Sequence, residues 1–360
     1  MKSTLYLHMG MPKTGTSAIQ AFLHNNMKAL KEKGCKYPYF EYSFPHISKN
    51  RNGHFLVSNT YNAEWAEDCF SQIFKFAEKF PKIVLTDEEI WSVDSHTPEF
   101  WINLKNRLNN EDIGLKVIVY LRRQDAFMAS IWAQRVKYKQ MRTCTFKQYM
   151  KNHKNRLDYY EAINEIAEVI GEENIIVRPY EFSQFKGNGN TLISDCLLAM
   201  GIEFDDSFVY DNSRRNLSIE GNVLEVKRFL NFIPEFKAKG VNFRIPLEAV
   251  QKHLMESGEF RNCSTFLAGE RAEFMKQFRE GNALLAKKYL GREDGVFFEA
   301  PLPENDPPKK DYKVKELKKI LEMVEEAVKN DSKSPFTPEE FHLIAEKTLK
   351  LIKEKKKRKD

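Results

Sequence analysis

Cysteine is too scarce and too scattered in this chain to build a framework. The 360 residues hold five (Cys35, Cys69, Cys144, Cys196 and Cys263), an odd number without paired spacing, which excludes a disulfide scaffold and a cysteine-based zinc site. The eight histidines include no pair spaced to share one helix face, so no metal site is expected. No apolar run approaches the ~18 residues of a membrane-spanning helix, and Lys2 leads into a strand without a long apolar leader. A cytoplasmic location is the expectation.

A broad excess of positive charge is missing too. The formal net charge is +6, but residues 353–360 hold six basic and two acidic residues, so the rest of the chain carries only +2. A near-neutral body excludes nucleic-acid binding by a wide basic face. The basic tail reads as a solvated end or, more sharply, as a weak contact with the inner membrane surface. At 42% hydrophobic and 30% charged residues the composition is that of an ordinary globular chain, long enough for one large α/β domain or two smaller ones.

The most informative stretch is Leu5 to Ser17. Ser3 to Met9 is a short apolar run suited to a buried strand. Gly10 and Gly15 bracket a turn, where glycine permits positive φ and close approach of backbone to a ligand. From Thr16 the residues Ile19, Phe22, Leu23, Met27 and Leu30 recur at helical spacing, and Gly34 stands at the expected stop. The N–H groups and positive dipole end of that helix face the turn, where an anion fits. A nucleoside-triphosphate loop carries its lysine directly after the second glycine. Here Thr16 holds that place and the lysine is Lys13, inside the loop.

Further strands are expected at Lys82 to Thr86, Leu115 to Leu121 and Asn174 to Arg178. Helical pattern runs over Glu64 to Phe80, Pro98 to Asn109, Asp125 to Lys139, Phe146 to Ile170 (two helices), Thr191 to Met200, Asn216 to Phe232 and Thr265 to Tyr289. Strands alternating with helices predict an α/β fold of three layers, a central parallel sheet flanked by helices, with a helix-rich C-terminal part. Cys35 to Asn62 is irregular; its Tyr37, Tyr39, Phe40, Tyr42 and Phe44 read as an aromatic wall for a sugar or sterol, or as core packing. Four prolines between Pro301 and Pro308 mark a linker, so the expected organisation is a domain over 1–300, a linker over 301–312 and a helical hairpin with a basic tail over 313–360. The second hairpin helix starts at Thr337-Pro338-Glu339-Glu340, with Thr337 as N-cap.

Pro12-Lys13-Thr14-Gly15-Thr16-Ser17 resembles, position by position, the 5′-phosphosulfate loop of the sulfotransferases that use 3′-phosphoadenosine 5′-phosphosulfate (PAPS). Arg122 after the third strand and Ser130 eight residues later resemble that family's 3′-phosphate pair, with Arg123 beside them. Val177-Arg178-Pro179-Tyr180-Glu181 is similar to the segment that approaches the adenosine, which adds Tyr180, and Arg214-Arg215-Asn216-Leu217-Ser218 is similar to an N-x-S segment of bacterial members. The stretch from Asn282 to Tyr289 is similar to the end of that domain, so the resemblance covers roughly residues 1 to 300. The Arg-Lys-Gly-x-x-Gly-Asp segment of animal cytosolic members is absent, and Arg214 or Arg215 is taken as its replacement.

The resemblance implies a P-loop-like sulfotransferase fold, PAPS as donor, no metal, and a hydroxyl or amine acceptor on a glycan, lipid or small molecule. Sulfuryl transfer needs a base for the acceptor proton and positive charge at the leaving phosphate oxygen. Lys13 with the Thr16 and Ser17 N–H groups meets the second need. Thr86-Asp87-Glu88 stands where bacterial relatives carry Ser-Ser-Glu, and Asn52-Gly53-His54-Phe55 resembles their His-bearing segment, so Glu88 and His54 are both candidate bases. His8, inside the first strand, reads as a core residue. Two other classes stay open: a nucleotide-dependent phosphotransferase of the kinase class, against which the missing post-glycine lysine speaks, and a non-catalytic carbohydrate- or membrane-binding module.

Overall fold

A computed structural model describes residues 2–40, 50–57, 63–91, 97–152, 157–210, 219–259, 265–304, 306 and 313–357. In chain order come β1 (Ser3–Met9), α1 (Thr16–Asn25), α2 (Met27–Glu32), β2 (Cys35–Lys36), α3 (Ala63–Ala77), β3 (Lys82–Asp87), α4 (Pro98–Asn109) and β4 (Ile113–Leu121). There follow α5 (Gln124–Lys137), α6 (Phe146–Asn152), α7 (Tyr159–Ile170), β5 (Ile175–Pro179), α8 (Leu192–Ala199), α9 (Gly221–Leu230) and α10 (Pro234–Lys239). The last are α11 (Ile245–Glu256), α12 (Glu270–Lys276), α13 (Arg279–Leu290), α14 (Val314–Lys329) and α15 (Pro338–Lys357). Among the described residues no helix is long and apolar enough to cross a membrane.

The chain divides into two compact units, one of Met1–Gln124, Asn155–Asp211 and Gln277–Pro301, the other of Asp125–Lys154, Asn212–Lys276 and Leu302–Asp360. The first holds a five-stranded, wholly parallel sheet in the order β2-β3-β1-β4-β5. Central β1 and β4 are buried along most of their length, and β4 is apolar almost throughout, because parallel strands bury both faces. On one face Tyr6, Val84, Ile118 and Tyr120 pack with Ile19, Phe22 and Leu23 of α1 and Ile193 and Leu197 of α8. On the other, α3 lies on β3 and α4 on β4, with α7 against α4 and α13 against α7. The fold is therefore α/β in three layers, as the alternation of periods predicts.

Departures from the expected elements have local causes. The helix expected from Thr16 to Gly34 breaks at Asn26, whose Nδ2 donates to the carbonyls of Phe22 and Val209 (2.9 Å each) while its Oδ1 accepts from Val209 N (2.8 Å). A side chain that bonds backbone this way competes with helix propagation. Gly34 then ends α2 at φ 70. The helix expected from Thr265 to Tyr289 is two, α12 and α13, with the break at the boundary between the units. The short β2 was missed because two residues carry no period.

In the second unit α9 is buried along its whole length, with α11, α14 and α15 against it. Leu317, Leu321, Val324 and Val328 bury the stripe of α14, and α14 packs against α15. The cap of α15 is reciprocal: Glu340 N donates to Thr337 Oγ1 (3.2 Å) and Thr337 N to Glu340 Oε2 (3.1 Å). Burying α9 completely also buries its charges. Arg228 is answered by Glu225 (2.7 Å), but Lys227 Nζ has the Asn231 Oδ1 (2.6 Å) and the face of Phe236.

Burial pushes the Lys227 amine down from 10.5 to about 7. The unfolded chain keeps that proton to higher pH, so folding releases it between these values and stability rises with pH across that window, while below about 7 the penalty is complete. Lys227→Met removes this dependence. In paired urea titrations the stability of the variant relative to wild type should be greatest near pH 6 and should shrink by about pH 9; a difference independent of pH would contradict a buried, depressed lysine.

Candidate functional site

The loop between β1 and α1 is closed by its own side chains. Thr14 Oγ1 donates to Met11 O (2.6 Å), Thr16 Oγ1 reaches the same carbonyl (3.3 Å), and Gly10 N donates to Asp87 O (3.0 Å). Gly15 caps α1 at φ 76, a conformation that favours glycine, and a Cβ there would lie 2.4 Å from the Leu192 side chain, which would have to shift. Lys13 is itself left-handed at φ 69, a conformation that costs a lysine roughly 1 kcal/mol. Pro12 is half-buried, and Ser17 is exposed on the first turn of α1.

Arg122 leaves the carboxyl end of β4 and donates through NH1 to the Lys13 carbonyl (3.0 Å), while its own carbonyl accepts from Tyr159 OH (2.8 Å). Its guanidinium lies 5.9 Å from the centre of the Tyr180 ring, and Tyr180 N donates to Leu121 O (2.7 Å). Lys13, Arg122 and Tyr180 therefore meet on one rim, at the carboxyl ends of β1, β4 and β5. Burial, and then the Arg122 charge, push the Lys13 ammonium below its usual range, with Glu88 pulling the other way. Burial likewise pushes the Tyr180 hydroxyl up against the influence of Arg122. Arg123 turns elsewhere, donating to the carbonyls of Ala300 (2.7 Å) and Pro301 (3.2 Å).

Glu88 follows β3 on the same rim, its side chain 41% exposed. Burial raises its carboxyl; Asp87 and Glu89 raise it further, and Arg51 and Lys13 oppose them. His54 is buried, with Nδ1 3.2 Å from Asp87 Oδ2 and 3.0 Å from Arg51 NH2. Burial would lift the Asp87 carboxyl, but hydrogen bonds from His54 and Arg51 outweigh it and hold Asp87 below the usual range. His54, Asp87 and Glu89 have the chemistry of a metal site. The Arg51 guanidinium lies among them, its NH2 2.7 Å from Asp87 Oδ1 and 3.3 Å from Glu89 Oε1, so their charge is answered by an internal cation.

Of the other expected residues, Ser130 is the seventh residue of α5 and belongs to the second unit, and Arg214 and Arg215 lie outside the described residues, as do Tyr42 and Phe44. Tyr37 and Phe40 are buried, whereas Tyr39 is 45% exposed. His8 is a core residue: its Nδ1 meets Thr86 Oγ1 at 2.8 Å and burial lowers its pKa to about 4.

Sequence reasoning missed Arg51 and the role of Asn52. Beyond β2 the edge of β3 is taken up by the 50–56 segment. Asn52 Nδ2 donates to the carbonyls of Val84 (3.0 Å) and Pro38 (3.1 Å), its Oδ1 accepts from Thr86 N (2.9 Å), and Gly53 N donates to Thr86 O (3.1 Å). The side-chain amide thus completes the ladder as a neighbouring strand would, and a Cβ on Gly53 would sit 3.2 Å from the Thr86 backbone. Three consecutive carboxylates at 87–89 were the available signal, since a buried one demands a cation. Asn52→Ala leaves buried backbone groups of β3 unpaired and should lower unfolding free energy by about 2 to 3 kcal/mol, read by denaturant titration; a loss below about 0.5 kcal/mol would show that the amide is not a ladder partner.

No family model matches the chain. An uncharacterized protein of Archaeoglobus fulgidus is 30% identical over 180 residues, which are 49% of this chain and 46% of that protein, so the match spans about half the relative's length. The crystal structure of a sulfotransferase from Alicyclobacillus acidocaldarius aligns over 59% of this chain and 85% of its own, at 16% identity and a TM-score of 0.37.

Proposed function

We propose that the chain transfers a sulfuryl group from PAPS to a hydroxyl or amine of a carbohydrate, lipid or small-molecule acceptor. The observation that carries this reading is the Lys13 loop: a lysine held left-handed inside a strand-to-helix turn, with Arg122 donating to its carbonyl. Two cations beside the first-turn N–H groups of α1 fit a donor rich in phosphate oxygens. In a nucleoside-triphosphate loop the position after the second glycine supplies a lysine; here Thr16 fills it with a hydroxyl turned to Met11 O, which speaks against phosphoryl transfer.

The donor, when bound, supplies the electrophilic sulfuryl group. Lys13 and the N–H groups of Thr16 and Ser17 hold and neutralise the phosphate end, and Arg122 with Tyr180 orients it. Glu88 takes the acceptor proton, since it lies on the rim beside Lys13 and its raised pKa brings it closer to working pH. His54 is 4% exposed and faces Asp87 and Arg51, which suits it to holding Asp87 in place.

Adenosine 3′,5′-bisphosphate should raise the melting temperature of the full chain while ATP with Mg²⁺ leaves it unchanged; the opposite pattern would favour the phosphotransferase class, and no response to either the binding-module class. Lys13→Ala and Glu88→Gln should each lower transfer from PAPS about 100-fold with an unaltered melting curve. Near-normal turnover of either variant would remove that residue from the mechanism.

A further inference from the structure

The turn after β3 places three carboxylates in succession, Asp87, Glu88 and Glu89, of which Asp87 is fully buried. Like charges so close destabilise one another, and the middle one has most to lose. Arg51 faces all three. Its Nε and NH2 grip Asp87 as a fork, at 2.9 Å from Oδ2 and 2.7 Å from Oδ1. NH2 stands 3.3 Å from Glu89 Oε1, and NH1 stands 3.9 Å from Glu88 Oε1. Asp87 Oδ1 also accepts from Glu89 N (2.7 Å), so the residue after Glu88 is pinned to the same carboxylate. Arg51 is held in turn by Asn52 and Gly53 on the edge of β3.

We propose that Arg51 is the positioning residue of this rim: anchored on Asp87, its guanidinium fixes the 87–89 turn and keeps Glu88 ionised beside Lys13. The charged and titratable groups around Glu88 are Asp87 and Glu89 on its own turn, Arg51 on the 50–53 segment, His54 behind Asp87, and Lys13 on the loop after β1 with Arg122 beyond it. Asp87 and Glu89 drive Glu88 toward its protonated form, and Arg51 and Lys13 hold it charged. Of these two cations it is Arg51 that also bonds Asp87 and stands by Glu89, so the charge that answers the turn itself is Arg51. Its planar fork matters as much as its charge, because a lysine cannot bond both Asp87 oxygens in one plane.

The significance for turnover rests on the reading of Glu88 as the base; the effect on Glu88 itself does not. In the full chain, ¹³C-carboxyl-labelled glutamate reports Glu88 directly, its signal assigned by loss in Glu88→Gln. In Arg51→Gln the Glu88 titration should move to higher pH, and in Arg51→Lys it should fall between the variant and wild type. Should Arg51→Gln fail to fold because Asp87 is left buried and unpaired, Arg51→Lys, which retains a charge, decides alone by a midpoint above wild type. A wild-type midpoint in the folded variant would overturn the proposal. In the transfer assay the acid limb of kcat/KM should move to higher pH in the same order, Arg51→Gln beyond Arg51→Lys beyond wild type. A shifted Glu88 titration in a protein inactive toward PAPS would support the role of Arg51 and remove the transferase reading, so the two fail separately.

Discussion

The hydrogen bond from Gly10 N to Asp87 O, 3.0 Å long, fixes the rest of the site. It is the continuation of the β1–β3 ladder, whose register sets Met9 opposite Asp87. Past that rung β1 opens into the Lys13 loop and β3 into the carboxylate turn, so the two leave the sheet side by side. β4, paired to the other side of β1, delivers Arg122 to the same height. The groups on the rim are arranged by strand register before any side chain interacts with another.

The rim is divided by charge. Toward β4 and β5 lie Lys13 and Arg122, which repel each other and suit an anion; toward the edge of β3 lie Asp87, Glu88 and Glu89, balanced internally by Arg51. Glu88 and Lys13 face each other across the division. In the transfer proposed above, this division would keep an acceptor over Glu88 and a donor on Lys13 to their own sides.

Much of this was legible in the sequence. Apolar runs gave β1, β3, β4 and β5, because a strand buried on both faces leaves no other pattern, and Gly10, Lys13 and Gly15 gave the loop, because its backbone conformation restricts residue types. Arg122 was legible through its place after β4. What escaped was set by contacts distant in sequence. Asn26 breaks a helix only because Val209 meets it, and Arg51 is one arginine among many until folding sets it over Asp87, 36 residues away. The burial of Lys227 likewise follows from the helices that close around α9.

The Asn52 amide has a further consequence at the level of the whole sheet. β2 covers only the first two rungs of β3, at Lys82 and Ile83. The remaining donors and acceptors of β3 would otherwise offer a template to a strand from another chain, the route by which sheets join edge to edge and aggregate. Asn52 and Gly53 occupy those groups with one side chain and one N–H, and the segment that brings Arg51 to Asp87 thus also guards this stretch of β3 against intermolecular pairing.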